Sequence, residues 1–195
     1  MGFGDGTFLD PAADMGWRAI GLEVSVEAAA KVAPRHRVAV GTPESIALDP
    51  APVDVVTFWD VLEHLPNPGA VVKQAAGRLP EGGLVAATMP SAASFTARIE
   101  RGRWRYYDLG TYGHLVHLSP RHLRRLFEQA GLEVIYTETT GSVDLRHSVG
   151  TSSAKGIRGA VLDKLSGVLA RLAPVMKRGN TLLMVGRRPQ PEGPA

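Results

Sequence analysis

The 195-residue chain contains no cysteine, which excludes disulfides, thiolate metal sites and cysteine nucleophiles. It has no apolar run of the roughly 18 residues that a membrane-spanning helix needs. Its N-terminus has no basic segment leading into an apolar stretch, the mark of a secretory signal. Aromatic residues are scarce, at 6%, and so is charge of one sign: 22 Lys and Arg stand against 19 Asp and Glu, for a net +3. That excess is too small to mark a nucleic-acid surface. These absences predict a cytoplasmic protein with neither nucleic acid nor membrane among its partners, and they leave the oligomeric state open. What is present, 44% apolar and 21% charged residues, suits a soluble domain with a core of its own. We read that domain over residues 1–188, followed by a Pro- and Gly-rich tail over 189–195.

Strand-like and helix-like patterns alternate along the chain. Short apolar runs at 19–22 and 38–40 flank a helical stretch that Ser25 can cap. Residues 53–58 are apolar and β-branched, as in a buried parallel strand. A helix over 69–79 ends at Pro80 and the pair Gly82-Gly83, and a strand over 84–89 follows. Residues 92–107 read as a helix running into basic, aromatic sequence. Ser119-Pro120 starts a helix with Leu123, Leu126, Phe127 and Ala130 on one face and Gly131 as its stop. A strand over 132–140, a loop over 141–155, an amphipathic helix over 157–172 and a last strand over 181–186 complete the pattern. This alternation predicts an α/β fold with a doubly wound, mainly parallel sheet. Ligands of such sheets bind at the carboxyl ends of the strands.

Four groups of residues carry candidate chemistry. Gly2, Gly4 and Gly6 alternate in a turn that lets backbone approach a ligand closely. Glu23 ends the first predicted strand, close to the spacing at which a carboxylate meets ribose hydroxyls in dinucleotide-binding folds. His64, His114 and His117 are candidate proton acceptors, since a histidine near neutral pKa is the natural base for a phenol or alcohol. His64 could equally cap or pack at a helix start, and His117 could belong to the core. Asp60, Glu63 and His64 stand at i, i+3 and i+4, a spacing that suits a divalent cation; helix-start electrostatics would favour the same acidic residues, and no metal is assigned. Arg98, Arg101, Arg103 and Arg105 interleave with Trp104, Tyr106 and Tyr107. That texture suits a pocket wall, a single-stranded nucleic acid or a solvated face.

The stretches GFGDGTFL…GWRAIGLEVS, VDVVTFWDVLEHLPNPGAVVKQAAGRLPEGGLVAATMPS and GHLVHLSPRHLRRLFEQAGLEV resemble the class I S-adenosylmethionine-dependent methyltransferases that act on small molecules. The resemblance covers residues 1–140, and WDVLEHLPNP followed by the Gly-Gly turn is its most specific part. It implies a Rossmann-like methyltransferase fold and S-adenosylmethionine as cofactor. The methyl acceptor would be a small molecule, with oxygen the favoured atom. Gly2, Gly4 and Gly6 would line the methionine part of the cofactor with Asp5 nearby, and Glu23 would hold the ribose. The turn with Thr42 and Glu44 would lie beside the adenine, and Trp59 and Asp60 would cover the sulfonium. Residues 92–118 would cap the site, with His114 and His64 as the catalytic candidates.

The chain departs from the family in three ways. Phe3 stands where the family has cysteine, and Pro43 lacks the backbone N–H that meets adenine. Met1 already stands at the glycine loop, so the fold is expected to lack most of its first strand and to be poorly stable unless something replaces it. The alternative function is therefore a truncated, non-catalytic methyltransferase-like binding protein. A dehydrogenase is a weaker alternative, resting on the glycine–acid spacing alone.

Overall fold

The computed structural model describes residues 1–43, 53–141, 143–150 and 156–190. Helix α1 (Leu9–Asp14) leads to strand β1 (Ile20–Glu23), helix α2 (Val26–Val32) and strand β2 (Arg37–Val40). Strand β3 (Val55–Trp59) is followed by a single 3-10 turn (Leu62–His64), helix α3 (Pro68–Gly77) and strand β4 (Leu84–Pro90). Next come the short helices α4 (Phe95–Glu100) and α5 (Leu109–Tyr112), then α6 (Pro120–Gln129) and strand β5 (Glu133–Thr140). Helices α7 (Leu145–Ser148) and α8 (Gly156–Val175) precede strand β6 (Thr181–Arg187).

Local sequence explains the ends of several elements. The Ser25 hydroxyl accepts the N–H of Ala28 at 3.2 Å, the Asn67 amide oxygen that of Ala70 at 3.1 Å, and the Ser119 hydroxyl that of His122 at 3.3 Å. Each satisfies an N–H that a helix start leaves without an intrahelical partner. Pro11 falls in the first turn of α1, where a missing N–H costs nothing. The helix expected over 92–107 is shorter than the pattern suggested. It stops at Glu100 because Arg101 takes φ +50°, and two 3-10 turns (Arg101–Arg103 and Arg105–Tyr107) follow. The region expected to be loop over 141–155 carries the one-turn helix α7, capped by Asp144 accepting from His147 N–H at 3.1 Å.

The strands form a four-stranded sheet ordered β3-β4-β6-β5 and a two-stranded sheet β1-β2. β1 is parallel to β2 and β3 to β4, whereas β6 runs antiparallel to both β4 and β5. Three strands of the larger sheet therefore share one direction, and β6 is the reversed one. Alternate residues of β3, β4 and β6 (Val56, Phe58, Val85, Met89, Leu182 and Met184 among them) are buried under α3 and α6, which supply Val71, Val72, Leu123 and Phe127. A second core joins α8, α7 and α4 through Val143, Leu145, Ala173, Phe95 and Ile99. A third core holds Phe3, Leu9, Ala29 and Val32 beneath β1 and β2.

The first expected strand is represented by two residues. Met1 donates its ammonium to the Thr57 carbonyl at 2.6 Å and accepts the Trp59 N–H at 3.4 Å, while Gly2 donates to Leu22 O at 2.9 Å. Among the described residues, these bonds are the bridge between the facing edges of β1 and β3. Beyond them lies a cavity of about 610 Å³, lined by Ile20 and Leu22 on one side and Val55 and Thr57 on the other, with Phe3 and Leu9 beneath.

Candidate functional site

The glycine loop closes on itself. Gly6 donates to Phe3 O at 2.9 Å, and the Asp5 carboxylate accepts the Thr7 N–H at 3.1 Å together with the Thr7 hydroxyl. These bonds hold Asp5 below the usual carboxylate range and give it a loop-closing role. Gly2, Gly4 and Gly6 have φ of +66°, +54° and +89°, the region that glycine enters without steric cost. At Gly2 the space matters as well, because a Cβ would come within 2.2 Å of Val61 and 3.3 Å of the Trp59 carbonyl. Above Gly4 the space is open. Phe3, where the family has cysteine, is a core anchor: its ring packs against Gly21, where an added Cβ would sit 2.5 Å from it.

Glu23 ties this loop to β1. One carboxylate oxygen accepts Gly4 N–H at 3.2 Å, and the other accepts the N–H groups of Val24 and Ser25 at 2.9 and 3.1 Å. Its carbonyl accepts Gly41 N–H at 2.9 Å, which draws the start of the Gly41-Thr42 turn to the same strand end. Glu44 lies outside the described residues. Trp59 and Asp60 end β3 beside the loop. The Trp59 ring lies 4.9 Å from that of Phe8, and its indole N–H is buried without a partner. Asp60 takes φ +51°, and its N–H meets Thr88 O at 3.1 Å. Burial raises its carboxyl above the usual range, against the opposing hydrogen bond to the Thr88 hydroxyl.

The 3-10 turn after β3 presents Glu63 and His64 to the segment following α5. The Glu63 carbonyl accepts the N–H groups of Leu115 and Val116 at 2.7 and 3.1 Å, and His64 Nδ1 meets Gly113 O at 3.2 Å. His114 is thereby clamped against the turn, its ring 4.8 Å from that of His64 and stacked on Tyr106 at 5.3 Å. His117 bonds Tyr106 O through Nε2 at 2.7 Å, which assigns it to holding the cap. Burial, with His64 and His117 nearby, lowers the His114 pKa from its ordinary 6.5. Glu63 is 2% exposed, both its carboxyl oxygens lack partners, and burial pushes its pKa up to about 8.

Of the trio whose spacing suits a cation, Asp60 is not among the converging ligand atoms. Among the described residues, the ligand atoms that converge are those of Glu63, His64 and His114, all within 4.8 Å of one another. Helical spacing marks Glu63 only as a ligand, and nothing local in the sequence marks Tyr106 as a platform for His114. The LEHLPNP motif held the Glu63 signal, but nothing local shows that the cap buries its carboxyl. Arg105 lies over the Tyr106 ring at 5.1 Å, a cation–π contact that fits the pocket-wall reading of the basic-aromatic stretch.

A family model for a methyltransferase domain matches residues 1–137. The chain belongs to the methyltransferase-domain family. The chain is 29% identical over 154 residues to a ubiquinone biosynthesis O-methyltransferase of Thiobacillus denitrificans, covering 72% of this chain and 65% of that protein. It is 30% identical over 146 residues to the Bordetella pertussis protein of the same name, covering 68% and 60%. It thus spans slightly less than two thirds of these relatives. Among solved structures, a SAM-dependent methyltransferase from Archaeoglobus fulgidus superposes with a TM-score of 0.69 at 15% identity, covering 95% of this chain and 83% of that one. A Mesorhizobium loti S-adenosylmethionine-dependent methyltransferase gives 0.65 at 16%, covering 96% and 88%. The chain therefore has the Rossmann-like fold that its sequence resemblance implied.

Proposed function

We propose that this chain binds S-adenosylmethionine and transfers its methyl group to an oxygen of a small-molecule acceptor, in the cytoplasm. The observation that carries this reading is the joint between the glycine loop and the end of β3. Gly4 meets Glu23, Gly2 lies on Trp59 and Val61, and the next turn bears Glu63 and His64. Residues suited to a ribose and residues suited to an acceptor proton thus form one continuous rim. The cofactor fits this rim in two respects: the space above Gly4 is open, and the buried Trp59 indole N–H lacks a partner.

When bound, the sulfonium supplies an electrophilic methyl carbon. Transfer to an oxygen acceptor would require a group that takes up the acceptor's hydroxyl proton. His114 is suited to take it, because its lowered pKa keeps the ring neutral near pH 7. Glu63, protonated at that pH, adds a hydrogen-bond donor beside the imidazoles. Oxygen as the acceptor atom is supported by the relatives, which are O-methyltransferases.

Calorimetry should give tighter binding of S-adenosylmethionine or its demethylated product than of NAD; equal or tighter NAD binding would overturn the reading. Glu23→Ala should weaken cofactor binding by about 1–3 kcal/mol. His114→Ala should cut turnover about 10²–10⁴-fold with cofactor affinity nearly unchanged. Cofactor binding with no turnover on any phenol or alcohol acceptor would favour the non-catalytic alternative. One observation favours a second reading, in which Glu63, His64 and His114 hold a divalent cation. Titration with Zn²⁺ or Mg²⁺ that shows no binding removes it.

A further inference from the structure

Helix α8 is twenty residues long and carries two apolar faces. The inner face, with Leu162, Leu169 and Ala173, packs on Phe95, Ile99, Val143 and Leu145. The outer face has no such cover: Ile157 is 86% exposed, Val161 50%, Leu165 48%, Val168 46%, Leu172 44% and Val175 82%. Steps of three and four residues place these six on one stripe, about 100° wide and roughly 30 Å long. Large side chains left in water along a whole helix mark a binding surface.

The charges around the stripe say what covers it. Lys164 and Arg171, seven residues apart, run along one flank; Arg158 stands on the other; Lys177 follows the helix end. All four are exposed, and among the described residues none forms an ion pair. The acidic residue of the helix is Asp163, which has a partner of its own. A second copy packed on this face would set two such basic flanks against each other. An anionic surface would meet them with opposite charge. Helix α8 also shares its inner core with α4, whose Arg98, with Arg101 and Arg103 just beyond it, is exposed.

We propose that α8 is an interfacial helix that docks this protein on an anionic lipid surface, its outer stripe set at the boundary between head groups and acyl chains. Apolar area and head-group charge act together in such helices. The sequence expectation of no membrane partner rested on the lack of a spanning run. No described helix is long and apolar enough to cross a membrane, but an interfacial helix needs no such run.

Vesicle co-sedimentation of the full chain tests this with two lipid compositions, phosphatidylcholine alone and the same lipid with about one third phosphatidylglycerol. Each cation near an anionic surface is worth roughly fivefold in partitioning. The anionic vesicles should therefore bind at least tenfold more tightly, and Lys164→Glu/Arg171→Glu should lose at least about twentyfold. These side chains touch no core, so a lost fold would not explain that result. Leu165→Glu/Leu172→Glu should abolish binding while thermal melting stays cooperative. Equal binding to both vesicles, or charge-reversed protein that binds like the parent, overturns the proposal. So does a dimer, seen by light scattering without vesicle binding, that Leu165→Glu/Leu172→Glu converts to monomer.

Discussion

The two sheets of this domain do different work. The β1-β2 pair rests on a core of four buried residues and faces a 610 Å³ cavity, yet it positions Glu23 and the glycine loop. The β3-β4-β6-β5 sheet lies over a core of seventeen buried residues and holds the histidine pair rigidly through the turn after β3. A deep core makes the larger sheet the more stable part, and regions with little buried apolar contact open first. The smaller sheet therefore carries Glu23 beside the glycine loop, and the larger one carries Trp59, Asp60 and the histidine pair. The two meet at Met1, Gly2, Trp59 and Val61.

Core truncation should expose this contrast most strongly. Phe58 is fully buried in the larger core, and Phe58→Ala should cost about 3–5 kcal/mol because the cavity left cannot collapse. Phe3, buried in the smaller core, already borders the open cavity. Phe3→Ala should therefore cost only about 1–2 kcal/mol, since its surroundings can relax, but it should weaken cofactor binding by loosening the loop. Denaturant melts of both variants, with cofactor titrations alongside, make the measurement. Equal losses at the two sites would erase the distinction between the halves.

Acidity should divide them next. The Glu63 carboxyl moves from 4.5 to about 8 on burial, so the folded state holds a proton that the unfolded chain releases. Its stabilising contribution is complete below pH 4.5 and is lost as pH rises through 8, with a range on the order of 3–5 kcal/mol at most. Melting temperature should accordingly fall across that window, and Glu63→Gln should remove this fall. Hydrogen exchange should place the loss around the 3-10 turn and residues 113–117, away from β1 and β2. A divalent cation held by Glu63, His64 and His114 would keep the carboxyl ionised and reverse the slope. Chelator-treated protein that loses stability with falling pH would sink this prediction.

The sequence displayed the periodic parts of the fold well. Alternation and β-branching put a strand at 53–58 where β3 spans Val55–Trp59, and the Gly-Gly turn marked the start of β4. Ser25 and Ser119 cap helices as their chemistry suggested. Glycine spacing and Glu23 pointed to the joint between the loop and β1, where the Glu23 carboxylate accepts the Gly4 N–H. The histidine cluster was only half legible. His114 and His64 were visible as side chains, but their juxtaposition depends on hydrogen bonds across some fifty residues of chain. The same contacts bury Glu63. Arg101 carries no sequence mark of the positive φ that stops α4, and periodicity along one strand cannot reveal that β6 runs opposite to its neighbours.

The smallest expected effect lies at the seam between the halves. Asp60 holds φ +51° at the end of β3, a conformation that costs an L-residue about 1–2 kcal/mol, less for aspartate than for most. Glycine enters that region freely, at the expense of a more disordered unfolded chain. The two terms nearly cancel, so Asp60→Gly should change stability by no more than about 1 kcal/mol in either direction. If Asp60 held only the turn, the variant would then be silent. Its carboxyl, however, makes only a long 3.4 Å contact with the Thr88 hydroxyl. A side chain kept in a strained conformation without a firm internal partner points to use on a ligand. Asp60→Gly should therefore bind S-adenosylmethionine several-fold more weakly at unchanged melting temperature, and Asp60→Asn should recover part of the loss. Unaltered affinity in both variants would return Asp60 to a purely structural role and leave Glu23 as the acidic contact on the cofactor side.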